Sequence, residues 1–440
     1  MKTLYIETYG CQMNFNDTEI VASIMKNSGW EIVATPEEAT AVLLNTCSVR
    51  ENAESRVIRR LKQYNHKFKK LNKRYIIGII GCMAERFNQH LVDLENSVNV
   101  VIGPDEYRRM PALLDQALSG NKAVAVELST VETYDDIIPL RTEGISAWLS
   151  IMRGCNNFCS YCVVPYTRGR ERSRPMQSLI EETRQLFHKG FREVTLLGQN
   201  VNSYKDEETG STFDILISKI AEISPLLRIR FTTSHPRDMN DNLIQTIAQY
   251  PNICKHIHLP VQSGSNRILK KMNRRYTVEH YLSIIDKIKS TIPNSAITTD
   301  IIAGYPSETE EDHQQTLELL KQVRFSGAFM FKYSPREGTR AFDEPDDVPE
   351  ETKIRRLNEI INLQNSISKE LNQLEKGRVL EVLVEAPSKK KQQEWMGRSS
   401  SNKVVIFPNP QGIYKTGDYV DVLIKKSTSA TLFGEVVEKK

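Results

Sequence analysis

An uncharged apolar run of about 18 residues, the length that spans a bilayer as a helix, occurs nowhere in this 440-residue chain, so no membrane-spanning helix and no membrane partner is expected. The opening residues MKTLYIETYG alternate like a strand and lack the continuous apolar core of a secretory signal, which points to a cytoplasmic location. Cysteine is scarce. Its seven residues, Cys11, Cys47, Cys82, Cys155, Cys159, Cys162 and Cys254, are odd in number and too sparse for the disulfide framework of a secreted domain. Metal or redox chemistry is the expectation. No internal repeat and no long low-complexity tract is present. What remains is an ordinary soluble composition, 39% hydrophobic and 26% charged, in a chain too long for a single core. Two or three domains follow.

Against that scarcity, RGCNNFCSYC at 153–162 sets three thiols at spacings of four and three, with no fourth beside them. A structural zinc site closes its tetrahedron with four protein ligands. Three thiolates facing an iron–sulfur cluster leave one metal corner open, and soft thiolates suit such clusters. A zinc site borrowing a remote fourth ligand is the alternative.

Along the chain, short apolar strands first alternate with amphipathic helices: TLYIETYG, AVLLNTC, RYIIGIIGC and NVVIG, separated by NDTEIVASIMKNSG, ENAESRVIRRLKQY and AERFNQHLVDL. This pattern predicts an open parallel α/β sheet over 1–115. Cys47 and Cys82 close their strands and Cys11 lies just past the first, so three cysteines distant in sequence can meet where such sheets bind ligands. Residues 116–143, with VETYDDIIPLRTEG, read as a linker. A second α/β series over 144–375, with strands SAWLSIM, EVTLLGQ, RIRFTTS, HIHLPVQ, AITTDIIAG and AFMFKYS, predicts an incomplete (β/α)6 parallel barrel whose site lies at the C-terminal strand ends. The cysteine triplet directly follows the first of these strands.

From 376 to 440 the texture becomes alternating strands with Gly and Pro turns, RVLEVLVEA, KVVIFP, YVDVLIKK and TLFGEVVE, which predicts a small antiparallel β-barrel. This tail holds twelve Lys and Arg against seven Asp and Glu, a net of +5, while the whole chain is only +4. The basicity therefore sits in the last domain, including Lys389, Lys390 and Lys391, and suggests a polyanion such as RNA. A solvated lysine-rich surface is the plainer reading.

The motifs TYGCQMN, NTCSVRENAE, GCMAER and GCNNFCSYCVVPYTRGRERSRP, in this order over nearly the whole chain, resemble the methylthiotransferase family of radical S-adenosylmethionine (SAM) enzymes. That family joins an N-terminal domain, a radical SAM domain and a C-terminal TRAM domain. IMRGCNNFCSYC and TTSHPRDM look most like its branch acting on isopentenyladenosine in tRNA. The resemblance implies a 4Fe-4S cluster on Cys155, Cys159 and Cys162 whose open iron binds SAM. It also implies a second, auxiliary 4Fe-4S cluster on Cys11, Cys47 and Cys82 that holds sulfur. One SAM would methylate that sulfur and a second would supply the radical that takes hydrogen from C2 of the adenine. Cys254 in PNICKHIHLP matches no ligand motif and reads as a buried hydrophobe.

The same resemblance places SAM contacts at Gln199 and Asn200 after the second barrel strand, His258 and Gln262 after the fourth, and Asp300 and Gly304 on the fifth, where a glycine would let backbone approach the adenosine. Ordinary hydrogen bonding at a barrel mouth is the alternative for each. Arg168, Arg170, Arg172 and Arg174 crowd together in YTRGRERSRP, and like charges so close call for an anion. A solvated loop paired with local glutamates is the rival. Arg168 and Arg170, with Lys389, Lys390, Lys391 and Arg398, are the expected RNA contacts. The implied partners are a tRNA anticodon stem-loop and a reductant such as flavodoxin or ferredoxin, with the sulfur donor left open and the chain a monomer. Three other readings stay open: the same chemistry on a threonylcarbamoyladenosine tRNA, the same on a ribosomal-protein side chain, or an iron–sulfur RNA-binding protein that catalyses nothing.

Overall fold

The computed structural model describes residues 2–48, 51–70, 75–91, 97–141, 144–388 and 393–437. Its first sheet is built from β1 (Thr3–Thr8), β2 (Glu31–Ile32), β3 (Ala41–Thr46), β4 (Ile76–Gly81), β5 (Val100–Ile102) and β6 (Ala123–Ala125), in the order β2-β1-β3-β4-β5-β6 and parallel throughout. Every residue of β3 and β4 is buried, as expected of parallel strands covered on both faces. Strand alternation sends Leu43, Ile76 and Ile80 against Ile20, Met25 and Leu114, and Val42, Leu44, Ile77 and Ile79 against Val57 and Leu61 of the helix Glu51–Lys70. The stretch read as a linker, 116–143, is partly built into this sheet. The helix Met110–Leu118 runs into it, and β6 pairs with β5.

The second unit has β7 (Ser146–Ser150), the short ribbon β8 (Met152–Arg153) with β9 (Arg172–Ser173), then β10 (Glu193–Leu197), β11 (Arg228–Thr232), β12 (His256–His258), β13 (Ala296–Ala303) and β14 (Gly327–Lys332). The ladders β7-β10-β11 and β12-β13-β14 are each parallel. The Ser234 N–H, just past β11, bonds to His258 O at 3.2 Å and brings them edge to edge. The result is the expected six-stranded partial barrel. Helices pack outside it around Leu149, Leu196, Ile229, Ile257 and Ile301.

The tail closes into a five-stranded barrel of β15 (Val379–Pro387), β16 (Glu394–Ser399), β17 (Val404–Pro408), β18 (Tyr419–Ser427) and β19 (Thr431–Val436), ordered β15-β16-β17-β19-β18. One pair corrects the all-antiparallel expectation, since β17 and β19 run parallel. Strand β16 carries Trp, Met, Gly and Arg without clean alternation, and no sequence pattern singles it out.

This small barrel is seated on the N-terminal ends of the β10, β11 and β12 strands. Arg228 donates to Arg398 O at 2.5 Å and to Glu381 Oε1 at 3.1 Å, and Arg230 donates to Ser399 O at 2.9 Å and Glu193 Oε2 at 2.7 Å. The Lys255 N–H reaches Ser400 Oγ, and Tyr419 Oη reaches Leu226 O. The foot of the partial barrel is thus stoppered, and the cysteine loop lies at the opposite end. No helix among the described residues is long and apolar enough to cross a membrane.

Candidate metal centres

Strands β1, β3 and β4 are neighbours, so their C-terminal ends deliver Cys11, Cys47 and Cys82 to one place beside the point where strand order reverses. Gly10 makes the approach possible. Its φ is +137°, and a Cβ there would stand 2.6 Å from Cys47 Cβ. Asn14 Nδ2 bonds Asn45 Oδ1 at 3.0 Å and Thr46 O at 3.1 Å, tying the helix that follows Cys11 to the end of β3. The Cys47 thiol hydrogen-bonds to Cys11 and, with the positive charge of Arg168 and the N–H groups of Asn14 and Met13, pulls the Cys11 thiol down to about 6 despite burial. Burial pushes the Cys82 thiol up, and the nearby Cys11 charge adds to it.

The second triplet lies in the loop between β8 and the short helix Val164–Arg168. Gly154, at φ +76°, opens it; a Cβ would fall 1.9 Å from Arg170 O. The loop is pinned by Cys155 N–H to Gly169 O at 3.1 Å and by Asn273 Nδ2 to Phe158 O at 2.9 Å. Burial raises the Cys155 thiol to about 11 and drives Cys162 higher still, where the charges of Cys159 and Cys155 oppose a third negative charge. A metal cluster held by these thiolates would relieve that conflict by taking the place of the thiol protons.

Each triplet has an arginine on a sulfur. Arg168 Nε donates to Cys82 Sγ at 3.1 Å, and Arg274 Nη1 donates to Cys159 Sγ at 3.3 Å. Neither interaction is legible in the sequence. Arg168 also donates from Nη2 to Asp17 Oδ2 at 2.8 Å, while Arg153 gives Nη1 to Asp17 Oδ1 at 2.9 Å. Asp17, fully buried, therefore joins the residue two before Cys155 to the arginine on Cys82.

The expected RNA contact at Arg168 is corrected accordingly. The residue is 2% exposed and its charge is spent inside the protein. The same holds for Arg172, paired with Asp105 at 3.0 Å, and Arg174, paired with Glu182 at 2.9 Å. Only Arg170 of the four is exposed, lying over the Phe158 ring at 4.4 Å. Arg398 pairs with Glu385 at 3.1 Å while its carbonyl holds Arg228, so it belongs to the seat of the small barrel. Lys389, Lys390 and Lys391 lie outside the described residues.

The six expected SAM residues divide. Gln199 keeps a buried Oε1 without a partner among the described residues. Asn200 is committed at both ends of its amide, to Asp238 Oδ2 at 2.7 Å and to the His235 N–H at 3.1 Å, and positions a turn. His258 Nε2 lies 3.3 Å from Asp300 Oδ1, with Nδ1 on Thr298 Oγ1 at 3.0 Å, and the Phe329 ring meets the imidazole edge-on at 5.7 Å. Gln262, at φ +73°, bridges by its backbone to β13, where its N–H bonds Asp300 O at 2.9 Å. Gly304 lies just past the end of β13. A Cβ there would stand 2.4 Å from Lys353 Cγ, so it accommodates the lysine stem. Cys254 is 1% exposed with a thiol raised by burial, in keeping with a core role.

A cleft between the first two units is lined by Glu54, Arg86, Lys332, Tyr333, Arg336 and Lys353. Glu54 holds it together, pairing with Arg86 at 2.8 Å and Arg336 at 3.3 Å. It opens between the helix that begins at Cys82 and the C-terminal end of β14.

The residues fit two iron–sulfur clusters. Each site offers three thiols in one another's electrostatic field and one guanidinium donor, and buried acceptor and donor atoms at Gln199 and Arg168 await partners.

Three family models match successive parts of the chain. Residues 3–103 match the uncharacterized protein family UPF0004, 149–320 the Radical SAM superfamily and 373–437 the TRAM domain. A tRNA-2-methylthio-N(6)-dimethylallyladenosine synthase of Phocaeicola vulgatus is 53% identical over 99% of this chain and 96% of its own length. The enzyme of that name from Chloroherpeton thalassium is also 53% identical, over 99% and 96%. Among solved structures, the radical SAM methyltransferase TsrM of Kitasatospora setae, with cobalamin and a [4Fe-4S] cluster bound, matches with a TM-score of 0.58 at 12% identity, covering 78% of this chain and 77% of that one. That likeness concerns the fold alone. With full-length identity of this order and both cysteine triplets in place, the chain belongs to the methylthiotransferase family of radical SAM enzymes.

Proposed function

We propose that this chain adds a methylthio group to C2 of N6-isopentenyladenosine beside the anticodon of tRNA, on its 3′ side. The observation that carries this reading is the pair of cysteine triplets joined through Arg168, Asp17 and Arg153, which sets two sulfur-rich centres against one barrel mouth. When bound, the two 4Fe-4S clusters and SAM supply the electron, the methyl group, the hydrogen-abstracting radical and the sulfur.

The chain's own part is placement and exclusion. Cys155, Cys159 and Cys162 hold one cluster and Cys11, Cys47 and Cys82 the other, with Gln199 offering a polar atom to SAM. The seated small barrel bars solvent from the foot, leaving the cysteine end as the approach for the base. An anticodon-loop adenine reaches such a site at little unpairing cost. The cleft lined by Glu54, Arg86, Lys332, Arg336 and Glu350 borders that approach. The TRAM barrel grips the stem. A flavodoxin- or ferredoxin-like protein supplies electrons, and the enzyme works as a cytoplasmic monomer.

The test is anaerobic turnover with SAM, a reductant and an isopentenylated anticodon stem-loop, followed by mass spectrometry of the nucleosides. The methylthio nucleoside is expected together with 5′-deoxyadenosine. Deoxyadenosine without any methylthio product on this RNA would overturn the substrate, and neither product would leave a protein that binds clusters without catalysis.

A further inference from the structure

Three arginines, Arg153, Arg168 and Arg172, meet two carboxylates, Asp17 and Asp105, in a network whose side chains are all at most 4% exposed. One positive charge is left over. A buried surplus charge is costly unless an anion faces it. The neighbours Tyr107 and Tyr134 supply none, because burial holds both phenols protonated. Two donor atoms, Arg168 Nη1 and Arg153 Nε, are buried there with no hydrogen-bond partner among the described residues. The group in contact with the surplus charge is Cys82, whose Sγ accepts from Arg168 Nε. Three thiolates on a doubly positive four-iron core leave a single negative charge, which matches the excess.

We propose that Arg168, clamped by Asp17, is a positioning residue for the auxiliary cluster: it sets a fixed positive charge against the Cys82 sulfur and makes the cluster easier to reduce. Hydrogen bonds to cluster sulfurs and local charge are the protein's means of setting such potentials. The arginine comes from the barrel unit, 86 residues after the cysteine it serves, and its clamp from the first helix, 151 residues before it. The docking of the two units is therefore part of the electronic environment of the centre. This rests on the auxiliary cluster of the proposed function.

The experiment uses the full chain with Cys155, Cys159 and Cys162 changed to Ala, so that only the auxiliary cluster reports. Iron content is read first: a protein without iron in this background overturns the cluster assignment itself, before any arginine variant is made. Arg168→Gln, Arg168→Lys and Asp17→Asn are then compared by redox titration followed by electron paramagnetic resonance. Arg168→Gln is expected to cut the ratio of reduced to oxidised cluster at a fixed potential about tenfold, a shift of about 59 mV to the negative for one electron. Arg168→Lys keeps the charge and most of the effect. Asp17→Asn removes the opposing charge and shifts the potential the other way. Loss of iron in the Gln variant with recovery in the Lys variant also supports the proposal, because charge is what lysine retains. An unshifted potential in Arg168→Gln at full iron content, or loss of iron in both arginine variants, overturns it.

Discussion

Arg274 gives Nη1 to the sulfur of Cys159 at 3.3 Å while its other nitrogens are held by Pro260 O at 2.8 Å and Tyr276 Oη at 3.0 Å. A guanidinium so fully engaged cannot follow the sulfur if the loop moves, so it fixes the cysteine. Arg274→Met should weaken SAM cleavage by at least about tenfold, the equivalent of one charged hydrogen bond at ~1.5–3 kcal/mol, and leave the auxiliary cluster in place. Deoxyadenosine formation and iron content check this, and unchanged values of both would refute it.

Anaerobically reconstituted protein should hold about eight irons, twice the content of one four-iron cluster. Changing Cys155, Cys159 and Cys162 together to Ala should halve the iron and abolish SAM cleavage. The matching change at Cys11, Cys47 and Cys82 should halve it and leave cleavage measurable. Gly154→Ala should behave like the first triple, since Arg170 O occupies the place of the new methyl. Full iron in either triple variant is the result that would count against the assignment.

Deleting 376–440 does more than remove an RNA grip. It uncovers Arg228 and Arg230 at the barrel foot together with Glu193, so the truncated protein should be less stable as well as weaker in tRNA binding. The cleaner probe is Lys389, Lys390 and Lys391 changed together to Ala. This variant should keep its melting temperature, and the slope of log affinity against log salt should flatten by up to about 0.9 for each phosphate that is no longer neutralised. An unaltered salt slope would count against an RNA role for these lysines.

The isopentenyl group offers a site about 0.8 kcal/mol for each buried methylene equivalent, whereas a threonylcarbamoyl carboxylate would be desolvated on entry. In a mixture of unmodified, isopentenylated and threonylcarbamoylated forms of one stem-loop, the isopentenylated form should dominate the methylthio products. Preference for the threonylcarbamoyl form, or for a ribosomal-protein peptide added alongside, would redirect the substrate and leave the radical chemistry standing.

Glu85, at the helix that starts with Cys82, has its carboxyl raised to about 7 by burial and by the charges of Asp105 and Glu106. The folded state keeps this proton from the usual 4.5 up to about 7, where the unfolded chain has lost it. Its stabilisation is complete below that window and falls away as pH rises through it. Glu85→Gln should therefore raise the melting temperature of the apoprotein at pH 8 by a few degrees and change little at pH 4.5. Calorimetry at the two pH values decides, and a gain confined to the acid side would contradict the sign.

Short apolar runs mark β3 and β4 in the sequence, because parallel strands buried on both faces read as unbroken apolar stretches, while β1 and the barrel strands show as shorter or alternating segments between helical patterns. The six cysteines proposed as cluster ligands are legible in the sequence because each lies near the end of a strand segment or just after one. The arginines are not. Read locally, Arg168, Arg172 and Arg174 look like a basic loop waiting for phosphate. Their carboxylates are Asp17, Asp105 and Glu182, the first two brought from another domain. His258 and Asp300 stand apart in the sequence as two cofactor candidates, and pairing between adjacent strands brings them to each other. Arg398 misleads in the same way, since its partner Arg228 lies 170 residues earlier. Charge counting cannot see partners at that separation.

The convergence of Cys11, Cys47 and Cys82 on three neighbouring strand ends bears on how the protein matures. One centre is written within a single loop and needs little more than that loop to be outlined. The other has high contact order: it has no geometry until the β1-β3-β4 ladder has closed, and no arginine on Cys82 until the barrel unit has been synthesised and docked. Iron offered to a nascent chain would meet the first three cysteines before their surroundings exist. On the proposed assignment, a cluster at these three cysteines would find its complete surroundings only after the fold has closed.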